Sequence, residues 1–141
     1  MKDVAILYWS GTGNTEAMAN AIAEGVQEKG ANAALYTPDN YQEADLASYG
    51  AVALGCPAMG AEELEDTEFV PMYDAVKGQL GGKAVALFGS YGWGDGEWMR
   101  TWEDDIKGEG VTLAAESVIA NDAPDDDAVT SLKALGAALA E

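Results

Sequence analysis

Apolar residues run almost unbroken through Val4–Tyr8, Val52–Cys56 and Val85–Gly89, the pattern of strands covered on both faces of a sheet. Ala31–Tyr36 and Val111–Ile119 carry the same signature more faintly. Between these runs the period lengthens to that of a helix. Met18, Ile22 and Val26 recur every four residues from a start near Thr15, and Gly30 stands where that helix would end. Tyr41–Ser48 reads as a short helix and Phe69–Lys77 as a third, with Pro71 tolerable only in its first turn. Gly96–Lys107 puts Trp98, Trp102 and Ile106 on one face, and Asp126–Leu139 carries Val129, Leu132, Leu135 and Leu139. Strands alternating with helices in this way predict an α/β fold, a doubly wound five-stranded parallel sheet with helices on both faces. No repeat, linker or low-complexity segment interrupts the 141 residues, so one domain spanning 1–141 is expected.

In such a sheet ligands bind beyond the carboxyl ends of the strands, where the strand order reverses. The loops after the first, third and fourth strands therefore belong together. The first loop is Ser10-Gly11-Thr12-Gly13-Asn14-Thr15. A strand that ends in a small, hydroxyl-rich turn and opens into a helix leaves backbone N–H groups without partners, and the helix dipole adds partial positive charge. Ser10, Thr12 and Thr15 bring hydroxyls and Asn14 an amide, while Gly11 and Gly13 permit close approach. This is the chemistry of a phosphate cradle without a lysine or arginine. A nucleotide-hydrolysing loop needs lysine after its last glycine, and Asn14 stands there. A dinucleotide fingerprint needs a third glycine, and Glu16 stands there. The plainer alternative is a glycine-rich turn with a threonine cap.

The second loop is Cys56-Pro57-Ala58-Met59-Gly60-Ala61-Glu62, and the third is Ser90-Tyr91-Gly92-Trp93-Gly94-Asp95-Gly96. Trp93 stands among glycines that offer it little local core, so it reads as a flat surface for a ligand to stack on, against the alternative of packing on a neighbouring helix. Trp98 and Trp102 read as helix-to-sheet packing, and Trp9, bordering the first loop, as its shield.

Charge narrows the clientele. With 25 acidic and 7 basic side chains the net charge is −18, which repels nucleic acid and anionic membranes. Charge alone speaks first for solubility, and beyond that for partners carrying a basic patch. No histidine is present, so the usual general base and metal ligand are missing, and no His/Cys metal cluster exists in the sequence. The single cysteine, Cys56, cannot pair within the chain and lies at the end of a buried strand, which fits a structural thiol and a cytoplasmic location. No apolar run reaches membrane-spanning length, and no signal peptide is expected.

The chain resembles the flavodoxins, specifically the short-chain flavodoxins of fermentative anaerobes. The resemblance rests on Tyr8-Trp-Ser-Gly-Thr-Gly-Asn-Thr-Glu16, Gly55-Cys-Pro-Ala-Met-Gly60 and Leu87-Phe-Gly-Ser-Tyr-Gly-Trp-Gly-Asp-Gly96, and extends over the full length without the loop that interrupts the last strand of long-chain members. It implies the flavodoxin-like strand order 2-1-3-4-5 and non-covalent flavin mononucleotide (FMN). The phosphate would lie in Ser10–Thr15 and the isoalloxazine between Met59 and Trp93. Pro57, Ala58 and Ala61 would complete the second loop, and Glu62 would accept from the flavin N3–H. Backbone groups of Ser90, Tyr91, Gly92, Trp93 and Gly94 would face the pyrimidine edge, with Asn121 and Asp122 as outer contacts and Trp9 beside the phosphate. In this family the peptide after the Met59 position turns over on reduction so that its carbonyl accepts from the flavin N5–H, and Gly60 would tolerate both orientations. Ala61 departs from relatives that carry a polar or acidic residue, keeping the backbone bond but losing any side-chain contact.

The implied function is a low-potential one-electron carrier, not an enzyme. It would cycle between semiquinone and hydroquinone and serve redox proteins with basic docking surfaces, as a cytoplasmic monomer. The acidic residues then acquire a role. Glu62, Glu63, Glu65, Asp66, Glu68 and Asp74 follow the second loop without an intervening base. Asp95, Glu97, Glu103, Asp104 and Asp105 follow the third, offset mainly by Arg100, and Asp125, Asp126 and Asp127 form a further cluster. A unit charge ~10 Å from an anionic reduced flavin costs roughly 1.7 kcal/mol at an effective dielectric of 20, before salt screening. A shift of about 1.4 kcal/mol corresponds to about 59 mV for one electron. The alternative on the same fold is a flavin-dependent quinone reductase, whose substrate approach a stacked Trp93 would block. A phosphorylated-aspartate receiver is set aside, because Gly55-Cys56-Pro57 and Ser90 stand where it needs aspartate and lysine.

Overall fold

The computed structural model describes all residues, Met1–Glu141. Five strands, β1 (Val4–Tyr8), β2 (Ala33–Tyr36), β3 (Ala51–Gly55), β4 (Ala84–Tyr91) and β5 (Val118–Asn121), form one sheet in the order β2-β1-β3-β4-β5. Every pairing is parallel. Four α-helices, α1 (Asn14–Glu28), α2 (Phe69–Val76), α3 (Glu97–Gly108) and α4 (Asp126–Ala140), cover it.

The unbroken apolar strands have a direct cause. All five residues of β1 and of β3 are buried, because successive side chains enter different cores. Val4, Ile6 and Tyr8 join Met18, Ile22, Leu132 and Leu139 under α1 and α4. Ala5 and Leu7 join Leu54, Phe69, Trp98 and Trp102 under α2 and α3. Full burial of residues such as Leu54 and Phe69 contributes about 1.5–3 kcal/mol each. Helices α1 and α4 approach backbone to backbone: a Cβ on Gly25 would stand 2.1 Å from the Lys133 carbonyl oxygen, and one on Gly136 would stand 2.2 Å from that of Ile22.

Two expectations are corrected. Tyr41–Ser48 is not one helix but two 3-10 turns, Tyr41–Glu43 and Leu46–Ser48. Asp45 separates them: its backbone is extended and its carboxylate accepts from the Ala47 N–H at 3.3 Å and the Ser48 hydroxyl at 3.0 Å, competing with a continuous helix. The last strand begins at Val118, not Val111, and extends to Asn121. Leu113 bridges to Val85 and Val118 pairs with Phe88, so five steps of this segment span three of β4. The surplus is taken up from the bend at Ala114–Ala115 to Ser117, whose hydroxyl donates to Glu103 at 2.7 Å. No inserted loop interrupts the strand.

Sheet register delivers the three loops to one edge. Tyr8 pairs with Gly55, Gly55 with Phe88, and Tyr91 with Asn121. Lateral bonds continue past the strand ends: Trp9 N–H donates to Gly55 O at 3.0 Å, Ala58 N–H to Ser90 O at 3.0 Å, and Asp122 N–H to Tyr91 O at 2.8 Å.

Candidate functional site

The first loop turns into α1 through Gly13, whose φ of +98° a side chain would resist. No side chain caps the helix in the ordinary way. Instead Ser10 Oγ accepts from the Gly13 N–H at 3.1 Å and the Glu16 N–H at 3.2 Å. A hydroxyl has two lone pairs and one proton, so Ser10 is left as a donor only. The N–H groups of Gly11, Thr12, Asn14 and Thr15 have no protein partner. Thr15 Oγ1 is buried and also unpartnered. The loop thus gathers donors in need of an acceptor. Nearby, burial and the Glu16 carboxylate raise the Tyr8 phenol above its ordinary value, which keeps it protonated.

The second loop leaves β3 at Cys56 and is pinned from below. Cys56 Sγ accepts the Glu65 N–H at 3.3 Å, and burial pushes the thiol up to about 12, so it is inert packing. Glu65 is buried, which opposes its ionisation, yet the Thr67 hydroxyl and the N–H groups of Phe69, Glu68 and Thr67 hold its carboxyl below the ordinary range. Those bonds also satisfy the start of α2, with the Glu68 and Phe69 N–H groups at 2.7 and 2.8 Å. Above this anchor Met59 and Glu63 exchange both backbone bonds at 2.8 Å. The turn between them holds Gly60 at φ +53° and Glu62 at φ +55°. A Cβ on Gly60 would meet nothing within 4 Å.

The third loop leaves β4 at Tyr91. Ser90 Oγ donates to the Asp122 carbonyl at 2.8 Å and ties it to the end of β5. Trp98 Nε1 donates to the Cys56 carbonyl at 3.1 Å from below, so Trp98 is indeed packing, as is Trp102 against Phe69. Trp93 is 50% exposed, half its ring free to meet a ligand.

Between the loops lies a cleft of about 290 Å³. Trp9, Gly11, Thr12 and Asn14 line it from the first loop, and Pro57, Ala58 and Met59 from the second. Ser90, Tyr91, Gly92 and Trp93 line it from the third, with Asp122 beyond β5. Ser10 and Gly13 instead face a neighbouring cavity on the far side of Trp9. Gly60 and Ala61 are exposed on the turn. Asn121 borders a different groove beside α4. Glu62 faces α3, where its carboxylate accepts the Glu97 N–H at 3.0 Å, and Gly94 lies directly against it. Glu65 and Glu68 also build the site, although neither belongs to a loop motif. Glu65 had a readable signal, an acidic residue four positions before the first residue of α2. Glu68 had none, because its partner Trp9 is 59 residues away.

The donor set fits FMN. Unpartnered N–H groups, a donor-only Ser10 and an orphaned buried Thr15 hydroxyl suit a phosphate that is held but not cleaved. The cleft's other end, between Met59 and Trp93, suits a flat ring. No group of His, Cys, Asp and Glu side chains is arranged to hold a metal ion.

Comparison with known proteins agrees. Residues 6–134 match the flavodoxin family. The flavodoxin of Megasphaera elsdenii is 45% identical over 138 residues, covering 98% of each chain. That of Clostridium beijerinckii is 44% identical over 121 residues, covering 86% of this chain and 88% of its own length. The solution structure of two-electron reduced M. elsdenii flavodoxin superimposes with a TM-score of 0.88 at 46% identity, over 97% of this chain and 98% of that one. On its sequence, its strand order and this site, the chain belongs to the flavodoxin family.

Proposed function

We propose that this protein carries single electrons at low potential on non-covalent FMN, held in the cleft between the three loops, and passes them to redox proteins with basic docking surfaces. It is an electron carrier and not an enzyme, as its flavodoxin relatives are. The observation that carries the reading is the cleft itself, with an unpartnered, neutral donor loop at one end and Met59 and Trp93 at the other.

Bound FMN supplies the one-electron chemistry, and the chain's residues do the rest. Ser10, Thr12, Asn14 and Thr15, with the free N–H groups of the loop, hold the phosphate. Met59 and Trp93 flank the ring and exclude water from it. The Gly60 peptide sits on an exposed turn with open space where a side chain would be, so it is free to reorient beside the ring. The neutral cradle adds no positive charge that would ease reduction. Glu62, held at the start of α3 by the Glu97 N–H, is the group we assign to the ring N3–H.

Partners follow from charge. The α2–α3 side of the second loop presents Glu63, Asp66, Asp74 and Asp105, with Lys77 as the single base beside them, itself paired with Asp74 at 3.3 Å and Glu109 at 3.7 Å. That surface favours a basic face on the partner. No helix is long and apolar enough to cross a membrane. A single domain, acting as a monomer in the cytoplasm, completes the reading.

Stepwise reduction of the purified protein, followed by visible absorbance, tests it. Two separated one-electron steps on stoichiometric FMN are expected. Colourless protein that ignores added FMN would sink the proposal, and steady NAD(P)H oxidation by the protein alone would favour a reductase.

A further inference from the structure

Trp9 borders two cavities. One is the cofactor cleft, and the other is an outer cleft lined by Ser10, Gly11 and Gly13 of the first loop together with Glu16, Asp39 and Glu68. The indole lies against Gly11 so closely that a Cβ there would stand 2.9 Å from its Cη2. Its one polar atom, Nε1, donates to Glu68 Oε1 at 3.0 Å. Glu68 is itself fixed, since its N–H donates to the buried Glu65 carboxylate, whose own N–H is bound to Cys56 Sγ. A chain of contacts thus runs from the end of β3 to the ring above the phosphate loop.

We propose that Glu68 is a positioning residue for cofactor retention, holding the Trp9 indole where it borders both the FMN cleft and the acidic outer cleft. The proposal rests on FMN occupying the inner cleft. On charge alone Glu68 disfavours a phosphate, because its carboxylate repels a dianion. Its value lies in orienting a half-buried ring that has no other polar anchor. Charge and anchoring therefore predict opposite effects of removing it. Glu68→Ala removes both the charge and the anchor. Glu68→Gln removes the charge and keeps an acceptor.

The test compares FMN dissociation from wild type, E68A and E68Q, together with the Trp9 indole N–H resonance of each apoprotein. E68A is expected to release FMN about fivefold faster despite its lower negative charge, with the indole proton shifted toward its free position. E68Q is expected to restore both slow release and the indole shift. A change of packing alone would not be rescued by glutamine. Equal FMN release from E68A and E68Q, with wild type binding normally, would overturn the proposal alone. A wild type that binds no FMN would overturn the reading of the cleft and this proposal with it, even if the indole resonance still reported the Glu68 contact.

Discussion

Glu62 Oε1 accepts the backbone N–H of Glu97 at 3.0 Å, so the loop after β3 caps the helix that follows the loop after β4. The contact needs a bare position beneath it. A Cβ on Gly94 would stand 2.5 Å from Glu62 Cδ, and Gly94 has φ +79°. The two loops that flank the ring site are therefore coupled through one carboxylate and one missing side chain.

Gly94→Ala tests that coupling. The carboxylate is the far end of a flexible side chain and can swing away, so the clash itself is cheap. The left-handed backbone is not, and should cost about 1–2 kcal/mol. Urea unfolding of the apoprotein should show that loss, and the Glu97 amide should exchange faster because its acceptor has moved. Unchanged exchange at Glu97 would mean that Gly94 does not hold Glu62 in place.

Glu65 should make the second loop acid-sensitive. Its folded carboxyl is held below the ordinary value of 4.5 by the hydrogen bonds it accepts. A depressed folded value contributes stability that is present above 4.5 and lost as pH falls through the lowered value. Glu65→Gln should cost about 1–3 kcal/mol at neutral pH, since an amide cannot accept all those bonds. The gap to wild type should narrow as pH falls below 4.5 and through the lowered value. Acid also relieves the self-repulsion of a chain of net charge −18, but the variant differs by a single charge, so the difference between their unfolding curves reports chiefly on Glu65.

These two relationships lie beyond what the sequence pattern records. Elements with a strong period were readable: β1, β3 and β4 as apolar runs, and α1, α3 and α4 as repeats of three and four. So were the loop motifs, because glycines and hydroxyls at strand ends have few other uses. The misreadings came where side chains compete with the backbone locally, as Asp45 does in Tyr41–Ser48, or where a bulge breaks the alternation, as before Val118. Contacts such as Trp9–Glu68 and Glu62–Gly94 join residues far apart in sequence through single atoms. No periodicity records them. Glu62 shows the same limit, since its place at the end of the second loop is legible in the sequence and its bond to the Glu97 N–H is not.

Glycines in helices give a prediction of opposite signs. Gly136→Ala puts a Cβ 2.2 Å from the Ile22 carbonyl oxygen, and helix backbone cannot give way as a side chain can. Overpacking of about 1–3 kcal/mol should outweigh the gain in helix propensity of about 1 kcal/mol. Gly108, at the end of α3, has nothing within 4 Å of its Cβ position, so Gly108→Ala should raise stability by a few tenths to ~1 kcal/mol. Thermal unfolding of the two variants should therefore shift in opposite directions, while both keep the wild-type FMN spectrum because neither touches the loops.

Thr15→Val separates phosphate binding from folding. The Thr15 hydroxyl is buried at the first turn of α1 without a partner, so in the apoprotein it is a donor left unsatisfied. Valine fills the same volume without the polar atom. Removing an unsatisfied buried hydroxyl should leave apoprotein stability unchanged or raise it by up to ~1 kcal/mol. FMN affinity should fall about tenfold, the loss of a hydrogen bond to a charged acceptor. Riboflavin, which lacks the phosphate, should bind wild type and variant alike. The pattern of a firmer apoprotein, weaker FMN and unchanged riboflavin is specific to a hydroxyl that serves the phosphate. If FMN and riboflavin weaken together, Thr15 supports the shape of the loop and not the phosphate.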